Sequence, residues 1–212
     1  MTPNQQFAEA LNTLPLVAIL RGLQALEALA IGTALADEGW KLIEVPLNSP
    51  QPLQSIATLA AALPQALVGA GTVLTPQQVR EVHAAGGRLV VAPNFNGDVV
   101  VAAARLGMVC LPGVATASEA FAALAAGASG LKLFPAEMVT PPVVKALRAV
   151  LSADTVLLPV GGITPASMSA YRAAGANGFG LGSALYRPGM DAASVARNAR
   201  SFIAAWRSGQ RS

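Results

Sequence analysis

The sequence predicts an α/β fold, a single-domain (β/α)8 barrel of the TIM type over residues 1–212 with an extra helix at its N-terminus, and three observations predict it. Short apolar, β-prone runs recur at a spacing of about 20 to 25 residues, the length of one strand-helix unit. Between them lie Ala- and Leu-rich segments with helix start and stop residues. Polar side chains stand where the runs end, the face on which such barrels carry their chemistry.

In chain order, residues 4–13 form the extra helix, capping the bottom of the barrel. The eight runs are Val17 to Leu20, Leu42 to Val45, Ala66 to Ala70, Leu89 to Ala92, Met108 to Leu111, Leu131 to Phe134, Val156 to Val160 and Gly178 to Gly182. Thr75 with Pro76 opens one helix and Gly86 follows its end; Thr164 with Pro165 opens another and Gly175 follows its end. His83, the sole histidine, falls in the last turn of the helix that Thr75 opens, at the wrong end of the barrel for chemistry. An open doubly wound sheet is the competing architecture. Against it, Gly180 and Gly182 lack the third glycine of a dinucleotide fingerprint and fall at the last strand rather than the first.

Composition narrows the function classes. Charged residues make up 12% of the chain and hydrophobic ones 53%, so most of the sequence is buried in helix-strand layers or between subunits, and an oligomer is expected. The net charge of +3 contains no run of Lys or Arg able to track a phosphate backbone, which argues against nucleic acid and leaves a small anionic ligand. Cys110 is the only cysteine, so an internal disulfide and a thiolate metal cluster are excluded. The N-terminus lacks the pattern of a secretory signal, which predicts a cytoplasmic protein. From Glu44 to Arg80 no intervening residue is charged, but five prolines break that stretch too often for a membrane helix.

Read in order, the strand ends carry Arg21, Glu44, Thr72, Pro93 with Asn94, Lys132, Gly161 with Gly162, and Ser183. Lys132 is a lone amine inside the apolar run LKLFPA, bounded by Gly130 and Pro135. Desolvation disfavours its ammonium form and leaves a neutral amine able to attack a carbonyl, the chemistry of a Schiff-base lysine. Glu44, isolated in its uncharged stretch, gains a raised pKa from the same cause and can both take and give a proton. Its alternative reading is a salt bridge to Lys41 or Arg21. Gly161 and Gly162 opposite Gly182 and Ser183 fit an anion site at the last two strands, where backbone N–H groups approach closely and a following helix start adds its positive end. Arg21 contacts substrate anions or forms a structural ion pair. Clustered His, Asp or Glu of a metal site are missing, so neither metal nor cofactor is expected.

The motifs ILRG (Ile19 to Gly22), IEVPLNSP (Ile43 to Pro50), GAGTVL (Gly69 to Leu74), LKLFPA (Leu131 to Ala136), VGGI (Val160 to Ile163) and GLGSALY (Gly180 to Tyr186) together resemble the 2-keto-3-deoxy-6-phospho-sugar-acid aldolases. The resemblance covers nearly the whole chain, with the motifs in the family's order. It implies a homotrimeric, metal-independent barrel that cleaves its phosphorylated substrate to pyruvate and glyceraldehyde 3-phosphate. It matches Lys132 to the family's Schiff-base lysine and Glu44 to its proton-shuttling glutamate, with Thr72 and the backbone near Pro93 holding the pyruvyl carboxylate. Two positions depart from the gluconate-type pattern: Asn48 stands where an arginine is usual, and Val160 where a threonine precedes the glycine pair. Both changes read as lost donors and predict preference for the galactonate-derived epimer. The alternatives are a gluconate-derived or 4-hydroxy-2-oxoglutarate substrate, and a non-catalytic sugar-phosphate-binding barrel.

Overall fold

Each apolar run folds as a short strand in the computed structural model, which describes residues 1–208. The strands are β1 (Leu16–Ile19), β2 (Leu42–Pro46), β3 (Leu67–Gly71), β4 (Leu89–Val91), β5 (Val109–Leu111), β6 (Gly113–Val114), β7 (Leu131–Leu133), β8 (Leu157–Pro159) and β9 (Phe179–Leu181). All pairings are parallel, in a six-stranded sheet ordered β5-β4-β3-β2-β1-β9 and a three-stranded sheet ordered β6-β7-β8. The described strands thus number nine in two sheets, where eight in one barrel were expected. Pro112 has no N–H to donate, so the ladder breaks between β5 and β6, although its carbonyl still accepts the Lys132 N–H at 3.0 Å. A bridge between Val160 and Gly180 joins the second sheet to β9.

The helices alternate with the strands: α1 (Pro3–Thr13), α2 (Ala28–Asp37), α3 (Pro52–Ala62), α4 (Pro76–Ala84), α5 (Gly97–Arg105), α6 (Ala117–Ala125), α7 (Pro141–Val150), α8 (Met168–Ala173) and α9 (Ala192–Ser208). Thr75 caps α4 through a reciprocal pair with Gln78, as its position before Pro76 implies. The second predicted start fails. Thr164 and Ser167 instead hydrogen-bond each other around a tight turn, and α8 begins only at Met168. Among the described residues no helix is long and apolar enough to cross a membrane.

Period-two alternation sorts the strand residues into two cores. Leu16, Ala18, Ile43, Val45, Val68, Ala70, Val90, Cys110, Leu131, Leu133, Phe179 and Leu181 pack outward with the helices. Val17, Leu42, Leu67, Leu89, Val91, Val109, Leu111 and Leu158 form a second cluster inside the curl of the sheets, against Phe7 and Ala10 of α1. Glu44 follows Leu42 by two and Lys132 lies between two outward leucines, so the pleat sends both inward, above this apolar layer.

Candidate active site

Lys132 sits in the middle of β7, paired in register with Gly113 of β6 and Leu158 of β8. It is 6% exposed, and its Nζ lies 4.5 Å from the centroid of the Phe134 ring. Burial pushes its pKa down; Glu44 opposes that shift and Arg21 adds to it. Glu44 on β2 is 2% exposed, and burial raises its pKa from 4.5 to about 7 against the pull of Lys132, Arg21 and the Gly71 backbone N–H. Its Oε2 is buried without a hydrogen-bond partner. The alternative reading of Glu44, a salt bridge to Lys41 or Arg21, does not hold: Lys41 pairs with Glu9, and Arg21 donates to Asn48. Glu44 and Lys132 feel each other's charge, yet among the described residues they are not ion-paired within 4 Å.

A residue outside the predicted set makes this placement of Glu44 possible. Any side-chain carbon at Gly71 would land on the Glu44 carboxylate, so the last residue of β3 must be glycine for the acid to occupy its niche. The next residue, Thr72, takes a left-handed backbone at φ 55°, a conformation that costs a non-glycine residue on the order of 1 kcal/mol. Such strain persists where surrounding structure holds it, and here it lies one residue from the acid's niche.

The carboxyl ends of β1, β7, β8 and β9 surround a cleft of about 330 Å³. Of the predicted residues, Arg21, Lys132, Val160, Gly161, Gly162, Gly182 and Ser183 line it; Glu44, Thr72 and Pro93 do not. Gly161 and Gly162 have φ of 117° and 59°, and a side chain on either would run into the Glu137 carboxylate behind them. The late start of α8 removes the helix end expected to face this glycine pair. Cationic side chains supply positive charge instead: Arg187, missed in the sequence, joins Arg21 in the cleft wall. Its position four residues after Ser183, whose carbonyl it binds at 2.9 Å, was the available signal. Cys110 is buried on β5, its thiol pushed up to about 12 by desolvation. Among the described residues, no three His, Cys, Asp or Glu side chains converge as metal ligands.

A buried amine beside a buried acid, at the mouth of parallel strands, is the geometry of imine chemistry on a carbonyl substrate. The family model described as KDPG and KHG aldolase matches residues 7–198. The chain belongs to the KDPG and KHG aldolase family. It is therefore an aldolase, a carbon-carbon lyase. Among relatives within this aldolase family, it is 49% identical over 193 residues to the "Probable 2-dehydro-3-deoxy-6-phosphogalactonate aldolase" of Rhizobium meliloti (strain 1021), covering 91% of each chain. It is 47% identical over 195 residues to the 2-dehydro-3-deoxy-6-phosphogalactonate aldolase of Escherichia coli (strain K12), covering 92% of this chain and 95% of the relative. A solved structure described as native KDPGal superposes with a TM-score of 0.92 at 46% identity, covering 94% of this chain and 98% of that one. The parallel α/β architecture is thus shared within the KDPG and KHG aldolases.

Proposed function

We propose that the chain is a metal-independent Schiff-base aldolase of galactonate breakdown, cleaving 2-dehydro-3-deoxy-6-phosphogalactonate to pyruvate and D-glyceraldehyde 3-phosphate. The observation that carries this reading is the burial of Lys132 and Glu44 within range of each other's charge, with the amine's pKa pushed down and the acid's pushed up to about 7. Neutral Lys132 attacks C2 of the keto acid, and a proton passes from Nζ to the former carbonyl oxygen. Protonated Glu44 gives its proton to that hydroxyl, which departs as water and leaves an iminium and the Glu44 carboxylate. Glu44 takes the C4 hydroxyl proton as the C3–C4 bond breaks; the bonding pair flows into the iminium as an enamine and the aldehyde departs. Glu44 returns a proton to C3; water then adds to the iminium, and its hydrolysis releases pyruvate and the neutral amine while the carboxylate of Glu44 takes up the proton set free. An acid titrating near 7 does both jobs at neutral pH, which is how burial serves turnover.

The substrate assignment is supported by the names of the two relatives and by the apolar wall at Val160, which offers no hydroxyl to the C4 oxygen of the gluconate epimer. We assign Thr72 and the backbone near Pro93 to the pyruvyl carboxylate, a role compatible with the strained backbone of Thr72. Gly161, Gly162, Gly182 and Ser183 are assigned to the phosphate. The same reading takes residues 1–212 as one domain, an eight-stranded barrel closed through Pro112 and the Val160–Gly180 bridge and capped by α1. It also takes the molecule as a cytoplasmic homotrimer without cofactor, supported by the low charge content and the family.

Treatment with pyruvate and borohydride tests the chemistry. Intact mass and peptide mapping are expected to place one reduced adduct on Lys132. An adduct on Lys41 or Lys145, the remaining lysines of the sequence, or none at all, overturns it.

A further inference from the structure

We propose that Asn48 is a positioning residue whose neutral amide holds the Arg21 guanidinium at the cleft mouth without cancelling its charge, so that Arg21 receives the phosphorylated half of the substrate. The inference rests on the aldolase reading above. Arg21 Nη1 donates to Asn48 Oδ1 at 2.8 Å. Among the described residues no carboxylate lies within 4 Å of Arg21 or of Arg187, which also lines the cleft. An arginine has five N–H donors, and one bond to an amide oxygen leaves the others, with the full positive charge, for an incoming anion.

The backbone beneath Arg21 is fixed separately. The Gly22 N–H donates to Oγ of buried Ser49 at 2.9 Å, and the Pro188 ring packs against Gly22 from the β9 side. Ser49 therefore anchors the loop, whereas Asn48 acts on the guanidinium alone. Arg21 shares the cleft wall with Gly161, Gly162 and Ser183, the residues assigned to phosphate, and the contact of Gly22 with Pro188 brings its loop beside the segment that follows Ser183, on that side of the ligand. An aspartate at 48 would accept the same hydrogen bond but pair the charge.

That distinction supplies the test. In the synthetic direction with pyruvate, KM is measured for D-glyceraldehyde 3-phosphate and for unphosphorylated D-glyceraldehyde, and their ratio is compared among wild type, Asn48→Ala and Asn48→Asp. Asn48→Ala is expected to raise the ratio of phosphorylated to unphosphorylated KM roughly threefold by freeing the side chain. Asn48→Asp, nearly isosteric, is expected to raise it by about tenfold or more by pairing the guanidinium. A merely structural role gives the opposite order, with aspartate close to wild type, and that order overturns the proposal, as does an equal rise with both aldehydes. Asn48 is exposed, so the variants fold, and Asn48→Glu repeats the charge test with a longer side chain. Borohydride trapping of pyruvate by the wild type is scored separately, so a failed aldolase reading is distinguishable from a failed clamp.

Discussion

Glu44 keeps its proton near neutrality because its carboxylate is out of water, and the fold bears a cost for this at higher pH. Moving the acid from 4.5 to about 7, at about 1.36 kcal/mol per unit, corresponds to roughly 3 kcal/mol. The unfolded chain loses this proton near 4.5 and the folded chain only near 7, so the contribution is present in full below 4.5 and is lost as pH rises through 7. Lys132, with a lowered pKa, acts in the opposite sense and contributes more as pH rises. Glu44→Gln cannot ionise, so its melting temperature relative to wild type is expected to climb between pH 5 and 8 while kcat falls by about 10² to 10⁴. A difference in melting temperature that stays flat across that window would show that Glu44 ionises as it does in water. Val160 is the second informative residue. It is 7% exposed and lines the cleft beside Lys132, so Val160→Thr adds a hydroxyl to the cleft wall next to the amine. The kcat/KM ratio of gluconate to galactonate epimers is expected to rise about tenfold, the size of one buried hydrogen bond. A wild type favouring the gluconate epimer would contradict the substrate assignment.

Strands were readable at the level of elements because each inward and outward position follows the pleat, and the pleat has a fixed period. The same rule made Lys132 and Glu44 visible, since a lone ionisable group inside an apolar run must face the interior. What could not be read depends on neighbours distant in sequence or on local side chains that compete with a helix start. The break at Pro112 shows only when β7 is laid beside it, and the turn that delays α8 turns on local hydroxyls that compete with the helix start. Asn48, taken as a lost donor, proves to be an acceptor for Arg21 on the adjacent strand end. Gly71 belonged to a motif without a stated reason until β2 and β3 were placed side by side. Gly71→Ala is accordingly expected to displace the Glu44 carboxylate and lower kcat by roughly 10², the scale of a misplacement near 1 Å. Far-ultraviolet circular dichroism should be retained. Wild-type kcat in the alanine variant would mean that the acid has room to spare.

At the scale of the whole molecule, two concentric cores divide the labour: the outer one welds helices to strands, and the inner one closes the floor beneath the reactive pair. Cys110 belongs to the outer core and is the only thiol in the sequence. Its thiol is both buried and, at about 12, almost fully protonated, so iodoacetamide can reach a reactive form only when the layer around β5 parts. One atom thereby keeps time for the entire structure. If alkylation at Cys110 slows when the pyruvate adduct is fixed on Lys132, the outer layer opens only together with the catalytic floor; if it does not, the helices lift away while the floor stays shut.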